Sequence, residues 1–292
     1  MRSGFGSSGQ ARFQGMQFHR GICNICGNPA RFFYSDPHLY REFLVCDGCL
    51  SPSRYRSIAH GVLRAVHELT GIEAPSLAAL ASMKYNGLLR VYDTQTPFYL
   101  PTLAYPVPDY LSRCSWIDVQ MSAYRPNLPW GSRLDRRTTN QNIEALTFPD
   151  ASFDVLITSD VMEHVRLEAD AHREIRRVLR PGGVYLFTVP HMRNGRTLVR
   201  VEVVDPSDPA KDRFLLEPEY HGNINSKDGR ALSYRVYGTD LDEFLKGLGF
   251  RVAYTRADLP DLGILKTELF YCRAIGSSEP SGDPVDFSPR LP

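Results

Sequence analysis

The chain has 292 residues, 42% of them hydrophobic, with 34 Lys and Arg against 33 Asp and Glu for a formal charge of +1. That length allows one large domain with an appendage, or two ordinary domains, around a sizeable core. The charge balance excludes a global field that would draw in nucleic acid or an anionic membrane, although a local basic face is still allowed.

No stretch approaches the ~18 apolar residues that a membrane span needs, and the opening MRSGFGSSGQARFQG lacks the apolar core of a signal peptide. A cytoplasmic protein with no membrane partner is expected. Residues 1–18, rich in Gly, Ser, Gln and Arg without periodicity, read as a disordered tail. Residues 19–52 then carry four of the six cysteines, Cys23, Cys26, Cys46 and Cys49, as two C-x2-C pairs separated by nineteen residues. Two residues between thiolates let one tight turn present both sulfurs to an ion, and two such turns complete a tetrahedron. A closed, structural Zn2+ site in a small ribbon or knuckle is expected, with Gly27 and Gly48 relaxing the turns. The alternatives are metal-free CxxC pairs or a redox pair, but a redox CxxC normally occurs once, at a helix start.

Residues 53–84 read as a helical connector. Ile58, Val62, Leu63, Val66 and Leu69 mark one face of a helix capped by Ser51 or Ser53 and closed by Gly71. Arg54, Arg56 and Arg64 near its first turns are either phosphate contacts or a solvated surface, and the neutral overall charge favours the surface. Leu88 to Tyr92 is the first strand of a sheet, followed by the turn Asp93-Thr94-Gln95-Thr96-Pro97. Arg113 to Gln120 is the second strand, with Asp118 expected at its tip, where a carboxylate either accepts hydrogen bonds from vicinal ribose hydroxyls or is a surface residue at a strand end. The basic, proline-containing stretch from Met121 to Thr139 has no assigned element.

From Asn142 to Pro190 the chain reads as a βαβ unit. Phe153 to Thr158 is nearly continuously apolar, as suits a strand covered on both faces. Leu167, Ala171, Ile175, Val178 and Leu179 then share a helical stripe, with Arg173, Glu174, Arg176 and Arg177 outside it. Pro181 ends that helix, and Gly182 and Gly183 turn the chain into a second buried strand, Val184 to Val189. Residues 191–237 form a long connection carrying His191, Arg193, Arg196, Glu217, Glu219, Tyr220 and His221. Such a length marks either a substrate-facing insertion or a packing loop. Thr239 starts a helix with Leu241, Phe244, Leu245 and Leu248 on one face and Gly249 at its end. Strands at Phe250 to Thr255 and Leu269 to Ala274 follow, then a Pro/Ser tail over 276–292. Cys114 and Cys272 read as buried apolar residues.

The segment LTFPDASFDVLITSDVMEHV, followed by a helix and RVLRPGG, resembles class I S-adenosylmethionine-dependent methyltransferases of the type 11 kind. The resemblance implies an α/β, Rossmann-like seven-stranded sheet, mostly parallel with one antiparallel strand, over residues 85–275. It implies S-adenosylmethionine as cofactor, with Asp93, Thr94 and Gln95 at the first turn, Asp118 and Val119 at the ribose, Asn142 and Ile143 at the adenine, and Ser159 and Asp160 at the fourth strand's tip. The glycines that the family carries in the first turn are absent here, replaced by Gln95 and Pro97. Either a modified loop holds the cofactor or the domain has lost methyl transfer.

Methyl transfer from a sulfonium needs mainly alignment, plus a base where the acceptor carries a proton. Glu163, His164 and His191 are the catalytic candidates. The D-x-x-E-H run from Asp160 to His164 also resembles the E-x-x-E-H metal site of ubiquinone-pathway and small-RNA O-methyltransferases, which implies a divalent metal at Asp160, Glu163 and His164, with His191 or His221 as a further ligand. The expected acceptor is a small molecule or glycan methylated on oxygen. The alternatives are an RNA methyltransferase that grips its substrate with the zinc module, and a degenerate methyltransferase fold acting as a binding protein.

Overall fold

The computed structural model describes residues 13–222, 229–256 and 258–276. The expected tails therefore lie outside the described residues, apart from 13–18 and Gly276. Within 13–18 the chain is already built in, because Phe13 stacks on Phe33 with ring centroids 4.4 Å apart and Gln17 opens a strand. Apolar contact, invisible to composition, fixes residues 13–18 against the cysteine module.

In the cysteine module β1 (Gln17–Ile22) pairs antiparallel with β2 (Pro29–Tyr34), and β3 (Val45–Cys46) joins the other edge of β2. Each CxxC turn closes on its first cysteine, with Gly27 N donating to Cys23 O at 2.7 Å and Leu50 N donating to Cys46 O at 2.9 Å. The residue that donates must be left-handed. In the first turn that is Gly27 (φ +76), and in the second it is Leu50 (φ +58), not Gly48.

Helix α1 (Ser53–Thr70) follows and ends on left-handed Gly71. Its start has no side-chain cap: Ser53 Oγ bonds to Leu265 O instead, and Ser51 Oγ lies beside Cys49 Sγ. At Gly61 the helix lies so close to the sheet that an added Cβ would meet Leu269 at 2.8 Å and Leu186 at 3.0 Å.

The sheet is built from β4 (Leu89–Asp93), β5 (Ile117–Ala123), β6 (Thr138–Asn140), β7 (Phe153–Ser159), β8 (Leu179–Thr188), β9 (Phe250–Thr255) and β10 (Leu269–Ala274). Helix α2 (Glu168–Val178) precedes β8, and α3 (Leu241–Gly247) precedes β9. The spatial order is β9-β10-β8-β7-β4-β5-β6, and β10 alone runs against its neighbours. All seven residues of β7 are buried, as its apolar run requires. Alternate side chains feed two cores, since Val91, Val155, Ile157, Val184 and Leu186 pack with α1 and the cysteine module on one face. Tyr92, Leu156, Tyr185 and Phe187 pack with Ile175, Val178, Leu241 and Leu245 on the other. The cysteine module thus shares a core with the sheet.

Residues 191–237 hold short antiparallel ribbons: Leu198–Val199 with Arg235–Val236, Val201–Glu202 with Arg213–Phe214, and Glu219–Gly222 with Arg230–Ser233. Among the described residues no helix is long and apolar enough to cross a membrane.

Candidate functional site

The four cysteines converge. Cys23 and Cys49 Sγ lie 3.7 Å apart, Cys26 and Cys46 Sγ 4.0 Å apart, and all four sulfurs fall within 4.8 Å of one another. Zn–S bonds of about 2.3 Å in a tetrahedron require S···S edges of about 3.8 Å, so the sulfurs fit a zinc ion with little movement. Behind them Arg56 is fully buried, stacked on Phe32 at 4.4 Å from the ring centre. It donates to the carbonyls of Leu44 (2.7 Å), Gly263 (2.6 Å), Leu262 and Ser51. A guanidinium suits this place, because four thiolates around one divalent ion leave negative charge to be balanced.

Arg54 is buried as well, and Arg64 pairs with Glu68, so neither the solvated surface nor the phosphate-contact reading describes Arg54 and Arg56. Arg54 donates to Glu42 and to Ser159 Oγ (2.6 Å), while Arg41 takes Asp160 in a fork at 2.6 and 2.8 Å. Thr188 Oγ1 adds a third bond to Asp160 at 2.8 Å. Burial alone would raise the Asp160 pKa, but Arg54 and Arg41 outweigh it and hold the carboxyl well below the usual range. The cysteine module therefore grips the tip of β7, and Asp160, left-handed at φ +49, is consumed in that grip.

The residues expected around a cofactor divide. Thr94, Gln95, Asn142, Ile143 and Ser159 stand along the carboxyl edge of the sheet, where α/β folds bind ligands. Gln95 Nε2 donates to Ser159 O at 2.8 Å, and its Oε1 is buried without a partner, an acceptor that fits a cofactor donor. Asp93 sits just beneath the edge, bonded by Tyr105 OH and Gln95 N, and burial pushes its pKa up to about 7. Asp118 and Val119 are not at the edge. The strand runs Ile117 to Ala123, so Asp118 is exposed at its opening, about 16 Å of extended chain from the tip. The second strand starts and ends later than its apolar run suggested, which moved the acid to the wrong end.

Beyond β7 the turn Met162–His164 is a single 3-10 turn rather than an α-helix, and it separates Asp160 from the next two residues. Glu163 is fully buried, and neither carboxylate oxygen has a hydrogen-bond partner. Burial, then the Asp160 charge, push its pKa well above the carboxylate range. His164 Nε2 lies 3.7 Å from Glu163 Oε1, and His221 Nδ1 lies 3.9 Å from the same oxygen. His164 Nδ1 meets Leu232 O at 2.9 Å, and a carbonyl only accepts, so Nδ1 carries the proton of the neutral ring and Nε2 the lone pair. His221 Nε2 meets Glu219 Oε1 at 3.0 Å, which turns its Nδ1 toward Glu163 by the same reasoning.

The ribbons of the insertion hold this turn. Arg235 donates to Val165 O at 2.6 Å and to Met162 O at 3.2 Å, and Tyr234 N donates to Glu163 O at 2.8 Å. His191 does not join the cluster: its Nε2 meets Gly238 O at 3.1 Å and its ring packs on Tyr254 and Phe270. Arg41, Glu42, Tyr105 and Arg235 carried no local signal of their roles in the sequence.

The strand order and the single antiparallel strand make a Rossmann-like, mostly parallel seven-stranded sheet, the architecture that the sequence resemblance implied. Residues 120–187 match the methyltransferase domain family of type 11. A probable S-adenosylmethionine-dependent methyltransferase of Mycolicibacterium smegmatis is 46% identical over 50 residues, 17% of this chain and 20% of that protein. The match thus spans about a fifth of that relative's length. Among solved structures, the S-adenosylmethionine-dependent methyltransferase of Mesorhizobium loti is 18% identical, with 67% of this chain and 95% of that chain covered and a TM-score of 0.38. A putative S-adenosylmethionine-dependent methyltransferase of Listeria monocytogenes is 12% identical, with 74% and 100% covered and a TM-score of 0.40.

Proposed function

We propose that this chain binds S-adenosylmethionine at the carboxyl edge of β4 and β7 and methylates an oxygen of a small-molecule or sugar acceptor, with a structural zinc ion in the four-cysteine site. The methyltransferase-domain match over residues 120–187, lying on a sheet of this strand order, carries the reading. Bound there, the cofactor supplies an electrophilic methyl group. Thr94, Gln95, Asn142 and Ile143 are the residues that hold it, and Gln95 Oε1 takes a cofactor donor. What the protein must add is alignment and a destination for the acceptor's proton. The turn carrying Glu163 and His164 provides basic atoms at the same edge, and the neighbouring ribbons wall off the acceptor side.

The test is calorimetric titration of the zinc-loaded protein with S-adenosylmethionine, repeated on Gln95→Leu. Micromolar binding that weakens about tenfold in the variant supports the reading, in line with the ~1.4 kcal/mol of one hydrogen bond. No heat at millimolar cofactor sinks it and leaves a methyltransferase fold used as a scaffold.

A further inference from the structure

The turn after β4 lacks glycines, and the cysteine module braces it from outside. Asp93 accepts from Gln95 N at 3.0 Å and from Tyr105 OH at 2.5 Å. Tyr105 belongs to a small hairpin, Phe98–Tyr99 paired with Ala104–Tyr105, and its ring packs on Tyr55 with centroids 4.4 Å apart. The hairpin is tied to the module in turn, because Ala104 N donates to Leu50 O at 2.9 Å. Leu50 is the left-handed residue whose own N–H closes the second CxxC turn on Cys46 O.

A second route reaches the same turn from the side of β7. Arg41 and Glu42 lie in the nineteen-residue stretch between the two cysteine pairs, on the short helical turn Tyr40–Phe43. An ion shared by the pairs closes that stretch into a loop and so helps to fold it. Arg41 forks Asp160, while Glu42 takes Arg54, which donates to Ser159 Oγ. Ser159 O then accepts from Gln95 Nε2, which leaves Gln95 Oε1 as the buried acceptor without a partner. Both routes therefore end on one turn, at Asp93 and at Gln95. Part-buried ion pairs are costly to half-break, because the remaining charge is left without its partner. A module that loosens releases both routes together.

We propose that the cysteine module is part of the cofactor site, so that zinc at the four sulfurs and S-adenosylmethionine at the edge of β4 and β7 bind with positive coupling. Arg41, acting through Asp160, and Tyr105, acting through Asp93, are the positioning residues that carry it. Bracing from the module stands where the resemblance expects a glycine-rich turn. The proposal rests on the S-adenosylmethionine reading of this edge. Linkage makes the coupling reciprocal: the factor that zinc adds to cofactor affinity is the factor that cofactor adds to zinc affinity.

The experiment uses the zinc-loaded full chain. Calorimetry reads cofactor affinity, and competition with a chromophoric chelator reads zinc affinity with and without saturating S-adenosylmethionine. The parent should hold zinc about tenfold tighter with the cofactor bound. Arg41→Lys keeps the charge and loses the fork, whereas Tyr105→Phe loses only the hydroxyl. Each should weaken cofactor binding about tenfold, the worth of one hydrogen bond, and shrink the coupling. The double variant should show no coupling. Unchanged circular dichroism and full zinc content show that the variants are folded. A merely structural role would lower zinc affinity or the melting temperature and leave the coupling factor as it was, which overturns the proposal. Cofactor binding by the parent with no effect on zinc retention also overturns it, and leaves the methyl-transfer reading standing. No cofactor binding by the parent at millimolar concentration strikes both.

Discussion

The cysteine centre and the histidine centre differ in how far the protein satisfies them. Around the cysteines everything is closed: four sulfurs face one another, Ser51 Oγ lies 3.1 Å from Cys49 Sγ, and Arg56 balances charge from behind. Around Glu163 the protein aims two imidazoles and leaves the carboxylate without a partner. A closed set of partners holds a fold together, while an open one is left to meet something from outside. The two are linked through α1 and the Arg41 fork, so the closed centre sets the position of the turn that carries the open one.

The comparison can be broken most forcefully at the closed centre. Cys26→Ser should remove zinc and cost on the order of 5 kcal/mol or more, because metal affinity is folding free energy for so small a module. Zinc content and thermal unfolding report it, and an unchanged melting temperature would deny the site any structural role. Arg56→Met comes next, at about 3–5 kcal/mol, since it leaves buried carbonyls of Leu44, Leu262 and Gly263 unpaired. Denaturant unfolding measures that loss, and a variant within 1 kcal/mol (roughly the value of one net hydrogen bond) would show that the guanidinium is not needed.

A third histidine sharpens the contrast. His172 is fully buried with neither ring nitrogen bonded, packed among Tyr185, Phe187 and Phe244. Burial, then the Arg235 charge, push its pKa down to about 3, from the usual imidazole value of about 6.5. The unfolded chain therefore binds the proton more readily, and native stability falls as pH drops from 6.5 towards 3, by at most about 1.4 kcal/mol per pH unit. His172→Phe should lose less stability than the parent over that window. Parallel curves from pH 6.5 to 4 would refute the burial argument.

The smallest effect belongs to the rim of the cysteine module. Arg31 pairs with Asp47 at 3.0 Å, but its side chain is 44% exposed. Arg31→Ala should change stability by less than about 1 kcal/mol in the same unfolding assay. A larger loss would mean that the module is held by its surface as much as by its sulfurs.

Much of this architecture was legible in the sequence. The run Phe153 to Thr158 and the stripe Ala171, Ile175 and Val178 each express a period within a few residues and form as read, whereas the helix stops at Val178, before Pro181, and left-handed Gly182 lies at an irregularity inside β8, which already starts at Leu179. The CxxC pairs are equally local, since the spacing itself sets the reach of the sulfurs. The site was legible only in part. Glu163 and His164 announce themselves beside the strand, whereas Asp118 fell at the wrong end because strand boundaries depend on pairing partners that the local run does not name.

By itself, then, the sequence determined the periodic elements, the four-cysteine cluster and the βαβ unit, all of which follow from covalent spacing. The tertiary structure alone decided what the charged side chains do. Arg54 and Arg56, Asp160 and His221 could each have faced water, and their roles were set when the fold brought Glu42, Gly263, Arg41 and Glu163 against them from far along the chain. Electrostatic partnership depends on distance and burial in space, and neither is written in neighbouring residues.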